Sequence, residues 1–401
     1  MKKLMLLTSA AVLVLASCSE DEIKEVSHGR GIDFRAETVS RASETNSANL
    51  ASFYATAFKG GAVYADETSK SELKEVLFKN TDGFFYSDNI YYWPDNENTL
   101  LNFVAYAPAT TANGGVLNGD LTLSQYGLSL KGFAPRYDVT KQIDFIHATG
   151  QGTKGSSEKN GVALAFSHAL SQIEVRAKNG SSNQFKIGGV KIVGAYNSAD
   201  YDMTNWSTAG KAKGSYKITH NTPIVLKNAT EDKSIMGEAG PAMLIPQQLT
   251  AWDPTDTENT KGGAYIAVKI NLKNNDGNLI FPADEDENAY GWVAVPISTN
   301  WEAGKKYIYT LDFGSGAGVV APPTGGNNTI DPGEPGDKDD KDHPKNDEDD
   351  DNDDGDEDEK KPGGKKPDAP DTGDEVLGSP IRFTVTVTTW TEQDPELPDM
   401  N

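Results

Sequence analysis

The chain has 401 residues, among them 37 Lys and Arg and 60 Asp and Glu, and its formal net charge is −23. The segment Asp331–Glu375 holds 21 acidic and 7 basic residues, which is −14 of that charge. A nucleic-acid role is excluded by this balance, because phosphate backbones are bound through patches of Lys and Arg. The single cysteine, Cys18, excludes disulfides within the chain and thiolate metal sites.

The N-terminus has the features of an export signal. Met1–Lys3 is positively charged, Leu4–Leu15 is apolar, and the sequence "LASC" ends at Cys18. This order resembles a bacterial lipobox, which predicts a signal peptide at 1–17 and acylation of Cys18; an ordinary secretory signal with an incidental cysteine is the alternative. The acidic residues of Ser19–Glu22 resemble the surface-export signal of Bacteroidetes lipoproteins.

Apolar and polar residues alternate along most of the chain from Gly31 onward, which is typical of half-buried strands. Clusters of Gly, Asn, Asp, Ser and Pro separate these runs. Ser71–Lys79 comes nearest to a helical spacing, and any helix there is short because Lys74 stands where a capping box has Glu or Gln. The fold class is therefore all-β, made of sandwiches. Clear strand patterns occur at 168–178, 187–196, 264–272, 306–313 and 381–390.

A polar, glycine-rich stretch, Gly150–Gly161, is the best candidate for a domain boundary. We expect a tether with a removable first strand at 18–41, an N-terminal sandwich at 42–155 and a C-terminal sandwich at 156–401. A disordered acidic insertion is predicted at 314–380, before a terminal strand at 381–390.

No constellation for catalysis, metal binding or cofactor binding is present in the sequence. The five histidines are isolated from one another and lack the spacing of a metal site. His168 begins a predicted strand, and we interpret it as a packed or hydrogen-bonding residue. The chain is therefore predicted not to be an enzyme and to need no cofactor.

The acidic run "NDEDDDNDDGDEDEKKPGG" partly matches a calcium-binding EF-hand loop. Asp350, Asn352 and Asp354, followed by Gly355, occupy positions 1, 3, 5 and 6 of that loop. Position 12, which needs a bidentate carboxylate, is Lys361, so the EF-hand is rejected. Weak association of Ca²⁺ with clustered carboxylates stays open beside the interpretation as a solvated, self-repelling segment.

Several phrases, taken in order, resemble the fimbrillin family of Bacteroidetes, the FimA-like and Mfa-like subunits of type V pili. "IDFRAETVSRAS" resembles a first strand leading into an Arg-Ala processing site, and "YYWPDNENTLLNFVAYAP" a Trp-Pro turn followed by an aromatic strand. "DFIHATG", "VALAFSHALSQIEVRAK", "MLIPQQL" and "WVAVPISTNWEAGKKYIYTLDF" follow in family order. "VTVTTWTE" resembles the terminal strand.

The resemblance implies two tandem transthyretin-like β-sandwiches and assembly of a fimbria by strand exchange. It implies cleavage between Arg41 and Ala42, with Arg35 as the alternative site or Arg41 as an ordinary surface residue. Ile32 and Phe34 would fill a groove in the precursor until that cleavage. The donor strand would carry the plugs Ile381, Phe383, Val385 and Val387; a permanent place for that strand in the second sandwich stays open.

The expected partners are other fimbrial subunits, the outer membrane through the acylated cysteine, and host or bacterial surface ligands. The expected location is the cell surface, first as an outer-membrane lipoprotein and then in the fimbria. Stalk, tip and anchor roles stay open. A different class of function is a surface lipoprotein that binds a glycan or host protein and never polymerises; clustered exposed Trp would favour it, but the six Trp are dispersed.

The acidic insertion departs from the family pattern, in which a short connection joins the last two strands. Lengthening this loop from about 5 to about 67 residues costs roughly 2 kcal/mol of closure entropy, which a sandwich tolerates. We therefore predict that the insertion is a spacer that tethers the donor strand, and that deletion of 326–375 leaves the fold intact.

Overall fold

A computed structural model describes residues 31–37, 50–226, 229–314, 316–322, 329–330 and 369–389. These residues confirm the all-β fold class. The strands of the first half are β1 (Phe34–Glu37), β2 (Ser52–Lys59), β3 (Ala62–Val63), β4 (Val76–Thr81), β5 (Phe84–Tyr86), β6 (Leu101–Ala107), β7 (Asp120–Ser124), β8 (Gly127–Phe133), β9 (Ile146–Gly152), β10 (Val162–Ala165) and β11 (Ser167–His168).

The later strands confirm the patterns predicted from position 168 onward. They are β12 (Ser171–Asn179), β13 (Gln184–Tyr196), β14 (Ala199–Tyr201), β15 (Trp206–Ser207), β16 (Lys213–Leu226), β17 (Ala229–Ser234), β18 (Ala242–Leu244), β19 (Tyr265–Lys273), β20 (Leu279–Phe281), β21 (Gly291–Pro296), β22 (Lys305–Asp312), β23 (Val319–Val320), β24 (Thr329–Ile330) and β25 (Arg382–Thr389). The helical elements of the described residues are α1 (Lys154–Ser157) and the 3-10 turns Thr111–Asn113, Val139–Lys141, Gly237–Ala239 and Val376–Gly378. Within these ranges, no helix has the length and apolar character needed to cross a membrane.

The first sheet runs in the order β10-β1-β5-β4-β2-β6-β9-β11, with β3 paired to β2. Only Phe166 separates β10 from β11, so the two ends of the sheet meet and the sheet wraps around its own core. Strand β6 is apolar at every position except Asn102, because both of its faces are largely covered. Phe103 and Ala105 lie in the core enclosed by the sheet, whereas Val104 and Tyr106 pack outside it.

Two further sheets face each other as a sandwich. One has the order β17-β12-β22-β25, with β18 on β12, and the other has the order β23-β21-β19-β13-β16-β24, with β20 on β19. The predicted alternation places one side of β12, β13, β19 and β22 in the shared core, where Val175, Ile192, Val268 and Tyr309 lie. On β19 the opposite side is buried as well, because Tyr265 and Ala267 belong to a second, smaller core.

A small sheet, β15-β14-β8-β7, joins strands from the two halves of the chain. Its apolar side covers the outer face of the first sheet, so Leu130 and Tyr201 pack with Val104 and Tyr106. The two halves are therefore linked by an apolar core as well as by the chain itself.

The boundary predicted at Gly150–Gly161 falls inside the first sheet. Strand β9 ends at Gly152, α1 follows, and β10 then pairs with β1. The polar residues make a tight connection, in which Thr153 Oγ1 accepts the Ser156 N–H at 3.2 Å as a helix cap. Strand pairing therefore assigns 162–168 to the first sheet, beyond the division expected at 155/156.

The segment Ser71–Lys79, where at most a short helix was expected, contains the start of β4. Leu73 N–H donates to the Tyr64 carbonyl at 2.9 Å, and Phe78 has no exposed surface. Cross-strand hydrogen bonds and burial therefore override the weak helical spacing.

The insertion predicted at 314–380 is too wide at both ends. Val320 N–H donates to the Asp374 carbonyl at 2.9 Å, and Val376 N–H donates to the Gly318 carbonyl at 2.8 Å. Val376 is buried in the sandwich core, which explains why the chain is fixed here. The ends of the insertion thus lie side by side, and the acidic run at 346–364 lies outside the described residues.

Candidate functional site: the first and last strands

Strand β1 lies inside the first sheet, with a neighbour on each edge. It pairs in parallel with β10, from Phe34 opposite Val162 to Glu37 opposite Ala165, and antiparallel with β5, where Phe34 faces Phe85. Adjacent strands lie about 4.8 Å apart, so loss of β1 would leave a gap of about 10 Å between β5 and β10. Among the described strands, β1 is the only ladder partner of β10.

The side chain of Phe34 fills the centre of the first core. It has no exposed surface, and its ring makes edge contacts with Phe53, Phe78 and Phe103 at centroid distances of 5.6, 4.7 and 5.2 Å. Such edge-to-face geometry adds to the burial energy of the ring. Phe34 is therefore the main anchor of β1.

The residues before Phe34 continue the attachment. Ile32 is 4% exposed, and its N–H donates to the Tyr91 carbonyl at 2.7 Å. The Asp33 carbonyl accepts the Val162 N–H at 2.9 Å. Gly161, at φ +68°, permits this close approach, because a Cβ there would lie 2.7 Å from Asp33 Oδ1. The structure thus places both groove-filling candidates, Ile32 and Phe34, in one core.

Strand β25 lies at the edge of its sheet. It pairs antiparallel with β22 over its full length, from Arg382 opposite Asp312 to Thr389 opposite Lys305. Its other edge has no ladder partner among the described strands. An open edge of this kind presents backbone groups to which another strand can add.

The apolar side of β25 is only partly covered. Ile381, just before the strand, is 5% exposed, and Val385 packs against the sandwich core. Phe383 is 38% exposed although its ring lies 6.3 Å from that of Tyr309, and Val387 is 52% exposed. The predicted alternation is correct in register, but the opposite sheet does not cover this edge.

The outer face of the same sheet carries ion pairs. Glu174 accepts from Lys306 at 2.6 Å and from Arg176 at 2.9 Å, and Arg176 also reaches Asp232 at 3.1 Å. These ion pairs connect β22, β12 and β17 on the outer face of the sheet. The apolar side chains of β25 lie on the opposite face, which carries none of these charges.

Two buried histidines lie outside these strands, where the first sheet meets β14. His147 Nε2 lies 2.7 Å from the Tyr201 hydroxyl, which itself donates to the Met203 carbonyl, so Nε2 carries the proton. Burial, with a smaller effect of His168, lowers the pKa of His147 to about 4. His168 Nδ1 lies 2.9 Å from Asp144 Oδ1, which confirms its predicted role as a packed, hydrogen-bonding residue.

Other predicted sites lie outside the described residues: Cys18, Arg41, Ala42 and the acidic run. Among the residues that the structure describes, no group of three or more His, Cys, Asp or Glu could hold a metal ion. The predicted groove-filling residues lie together at β1, and the predicted donor residues lie together at β25. The two strands belong to different sheets. The sequence did not indicate the two neighbours of β1, which are β5 and β10; the apolar run "VALAF" was visible, but not its pairing with β1.

Several solved structures are similar to this chain at low sequence identity. A solved structure from Bacteroides ovatus, whose proposed role is cell adhesion, has 17% identity and a TM-score of 0.41, covering 71% of this chain and 92% of that one. One from Bacteroides uniformis, with the same proposed role, has 15% identity and a TM-score of 0.41, covering 90% and 98%. The fimbrial anchor protein Mfa2 from Porphyromonas gingivalis has 10% identity and a TM-score of 0.27, covering 71% and 90%.

A comparison with curated proteins gives no match. The family model described as "Fimbrillin-like" matches residues 40–331, which is well over half of the chain and includes the strands from β2 to β24. Strands β1 and β25 lie outside that range, so the match rests on the strands between them. The chain belongs to the fimbrillin-like family.

Proposed function

We propose that this protein is a structural subunit of a cell-surface fimbria that assembles by strand exchange. The observation that carries the proposal is the position of β1, a four-residue strand held between β5 and β10 with Phe34 as its anchor. Removal of such a strand opens a groove with backbone partners on two sides and apolar pockets at alternate positions. A strand of another subunit can enter it by adding main-chain hydrogen bonds.

The entering strand is β25 of a neighbouring subunit. Its apolar residues recur at every second position, as do Ile32 and Phe34, so Phe383 or Val385 can take the pocket of Phe34. The partial exposure of Phe383 and Val387 supports this role, because their apolar surface gains more contact in a groove than at the edge of β22. The acidic segment serves as the tether that lets β25 reach its partner once residues 373–376 have left residues 318–320, because those hydrogen bonds hold the chain between the segment and β25.

Export precedes assembly in this proposal. The chain reaches the outer membrane as a lipoprotein acylated at Cys18, and cleavage between Arg41 and Ala42 then releases both the lipid anchor and β1. The order of charge, apolar run and cysteine at the N-terminus supports the first step. Membership of the fimbrillin-like family supports the location at the cell surface.

A tip subunit is the second candidate, and one observation favours it. Strand β25 pairs with β22 along all eight of its residues, and Ile381 is buried in the same sandwich. A subunit that keeps its last strand in place accepts a donor but supplies none, and therefore ends a filament.

Treatment with an arginine-specific protease tests the processing step. Chain 19–401 is incubated with the protease and imaged by negative-stain electron microscopy, and the new N-terminus is sequenced. We expect filaments whose subunits begin at Ala42. Arg41→Gln should prevent them, whereas the matched control Arg35→Gln should not. Monomers that begin at Ala42 and never polymerise would contradict the proposal.

Disulfide locks separate the two strands. Arg35→Cys with Ala163→Cys joins β1 to β10 at partnered positions, and Ile308→Cys with Thr386→Cys joins β25 to β22. Both locks block assembly of a stalk subunit until a reductant is added. If the second lock leaves incorporation unchanged while the first abolishes it, the protein is a tip subunit.

A further inference from the structure

A polar cleft lies on the outer face of the first sheet, away from β1 and β25. The hairpin β7–β8 covers that face over Val104, but its tip at Gln125 and Tyr126 overhangs the next part of the sheet without filling it. The resulting open cleft has a volume of about 460 Å³, within the usual range for small-ligand sites.

The lining of the cleft is uncharged. Asn102, Gln125 and Gln151 supply amides, Thr149 supplies a hydroxyl, and Tyr126 supplies an aromatic ring. The remaining lining residues are Phe103, whose ring is buried in the first core, and Gly150. A phosphate or carboxylate ligand would find no cation in this lining, and an apolar peptide would find few apolar side chains.

The sheet register brings two amides together. Asn102 on β6 is directly opposite Gln151 on β9, and Gln151 Nε2 donates to Asn102 Oδ1 at 2.8 Å. This pair leaves Asn102 Nδ2 as a donor and Gln151 Oε1 as an acceptor, on two residues of the same lining. Two adjacent hydroxyl groups of a ligand match that arrangement, because each hydroxyl both donates and accepts.

Tyr126 is the large exposed aromatic of this region, with 85% of its surface accessible. The tip that carries it is held in place: the Leu128 N–H contacts Met203 Sδ at 3.0 Å, and a Cβ on Gly127 would collide with that sulfur. The backbone that carries Tyr126 is therefore ordered, and the exposed ring presents its flat face to a ligand.

We propose that this cleft binds a neutral saccharide. One sugar ring stacks its C–H face on Tyr126, and its neighbouring hydroxyls bond to the amides of Asn102 and Gln151. Thr149 and Gln125 contact the adjoining ring. The cleft is separate from both exchange strands, so saccharide binding does not depend on whether the protein polymerises.

Saturation-transfer difference NMR and calorimetry on the intact chain test the proposal. The probes are lactose, N-acetyllactosamine, cellobiose and maltotriose, with sialyllactose as the charged comparison. We expect at least one neutral probe to bind, and sialyllactose to bind no tighter than lactose because the lining offers no cation. Tyr126→Ala and Gln151→Ala should each weaken binding about ten-fold or more.

Thr122→Ala is the matched control, because Thr122 is exposed on the same hairpin but does not line the cleft. It should leave binding unchanged. Unaltered thermal melting of the three variants shows that the fold is intact. The proposal is overturned if no probe binds at millimolar concentration, if sialyllactose alone binds, or if Tyr126→Ala and Gln151→Ala bind like the unchanged protein.

Discussion

Strands β1 and β25 share a sequence pattern but occupy opposite environments. Both alternate apolar and polar residues, and each has a phenylalanine near its start. Phe34 has no exposed surface, whereas Phe383 is 38% exposed. Strand β1 has a paired strand on each edge and a core that closes around its ring; β25 has one paired edge and an apolar side that the facing sheet does not cover.

This difference teaches that a period of two reports which face of a strand is apolar, and not how much of that face is covered. A strand inside a wrapped sheet is attached along two edges, so its loss removes two sets of hydrogen bonds together with its core side chains. The loss of an edge strand removes only one set of hydrogen bonds. The proposed exchange needs this difference in attachment. A groove that has lost β1 offers β25 two edges for hydrogen bonds and a closed apolar core, whereas its own sandwich offers one edge and a partly covered side.

The largest expected effect is that of removing the anchor of β1. Phe34→Ala should lower the free energy of unfolding by about 4 kcal/mol, because a buried ring surrounded by three others leaves a cavity that the core cannot fill. Urea denaturation measures the change. Phe84→Ala, on the neighbouring strand with a partly exposed ring, is the control and should cost clearly less. Equal losses for the two variants would show that β1 is not anchored as described.

Acid should destabilise the first sheet, which contains His147, before the sheet that contains β25; this is the second-largest expected effect. The pKa of His147 is about 4, below the ordinary histidine value of 6.5, because burial favours the neutral ring in the folded state. The stability that the neutral His147 ring contributes is complete above about pH 6.5. It is lost as the pH falls from 6.5 to 4, a difference of about 3 kcal/mol. Amide exchange should therefore increase in β9 and β11 before it increases in β25.

His147→Gln tests the cause of that acid effect. The glutamine amide can still donate to the Tyr201 hydroxyl but does not titrate. Stability between pH 6.5 and 4 should then fall less steeply than in the unchanged protein. An identical pH profile would mean that groups other than His147 control acid unfolding.

The sequence predicted the side-chain alternation well and the strand partners poorly. Ile266, Val268 and Ile270 lie on the buried side of β19 as the pattern indicated, because burial selects apolar residues position by position. The burial of Tyr265 on the other side depends on a contact with Trp252, which no local pattern reports. Likewise, the parallel pairing of Phe34 with Val162 joins residues far apart in the chain, so its signal is not local.

The candidate site was predictable in part for the same reason. Ile32 and Phe34 were identified as groove-filling residues from a family resemblance, and their burial agrees with a filling role, whereas their removal stays a proposal. The glycines around Gly150–Gly161 were interpreted as a boundary because glycine-rich polar runs usually connect domains. Here Gly161 instead permits close packing of β10 against β1, a use that only the tertiary contact reveals.

A smaller effect is expected at the other strand. Phe383→Ala should lower the free energy of unfolding by about 1–2 kcal/mol, because less apolar surface is removed from the interior than at Phe34. Thermal or urea denaturation of the monomer measures it, with Thr384→Ala as the control on the exposed face. A loss as large as that of Phe34→Ala would show that β25 is as firmly held as β1 and would weaken its role as a donor.

The smallest effect should follow from shortening the acidic segment. Residues 373–376 pair with 318–320, so a deletion must spare them, and replacement of residues 331–368 by a short Gly-Ser linker does so. A shorter loop costs less closure entropy, so stability should change by less than about 1 kcal/mol. Assembly, in contrast, should fail if the segment is the tether of β25. A scrambled segment of the same length and charge is the control and should assemble normally; a shortened protein that assembles as well as the control would leave β25 as a donor that needs no tether.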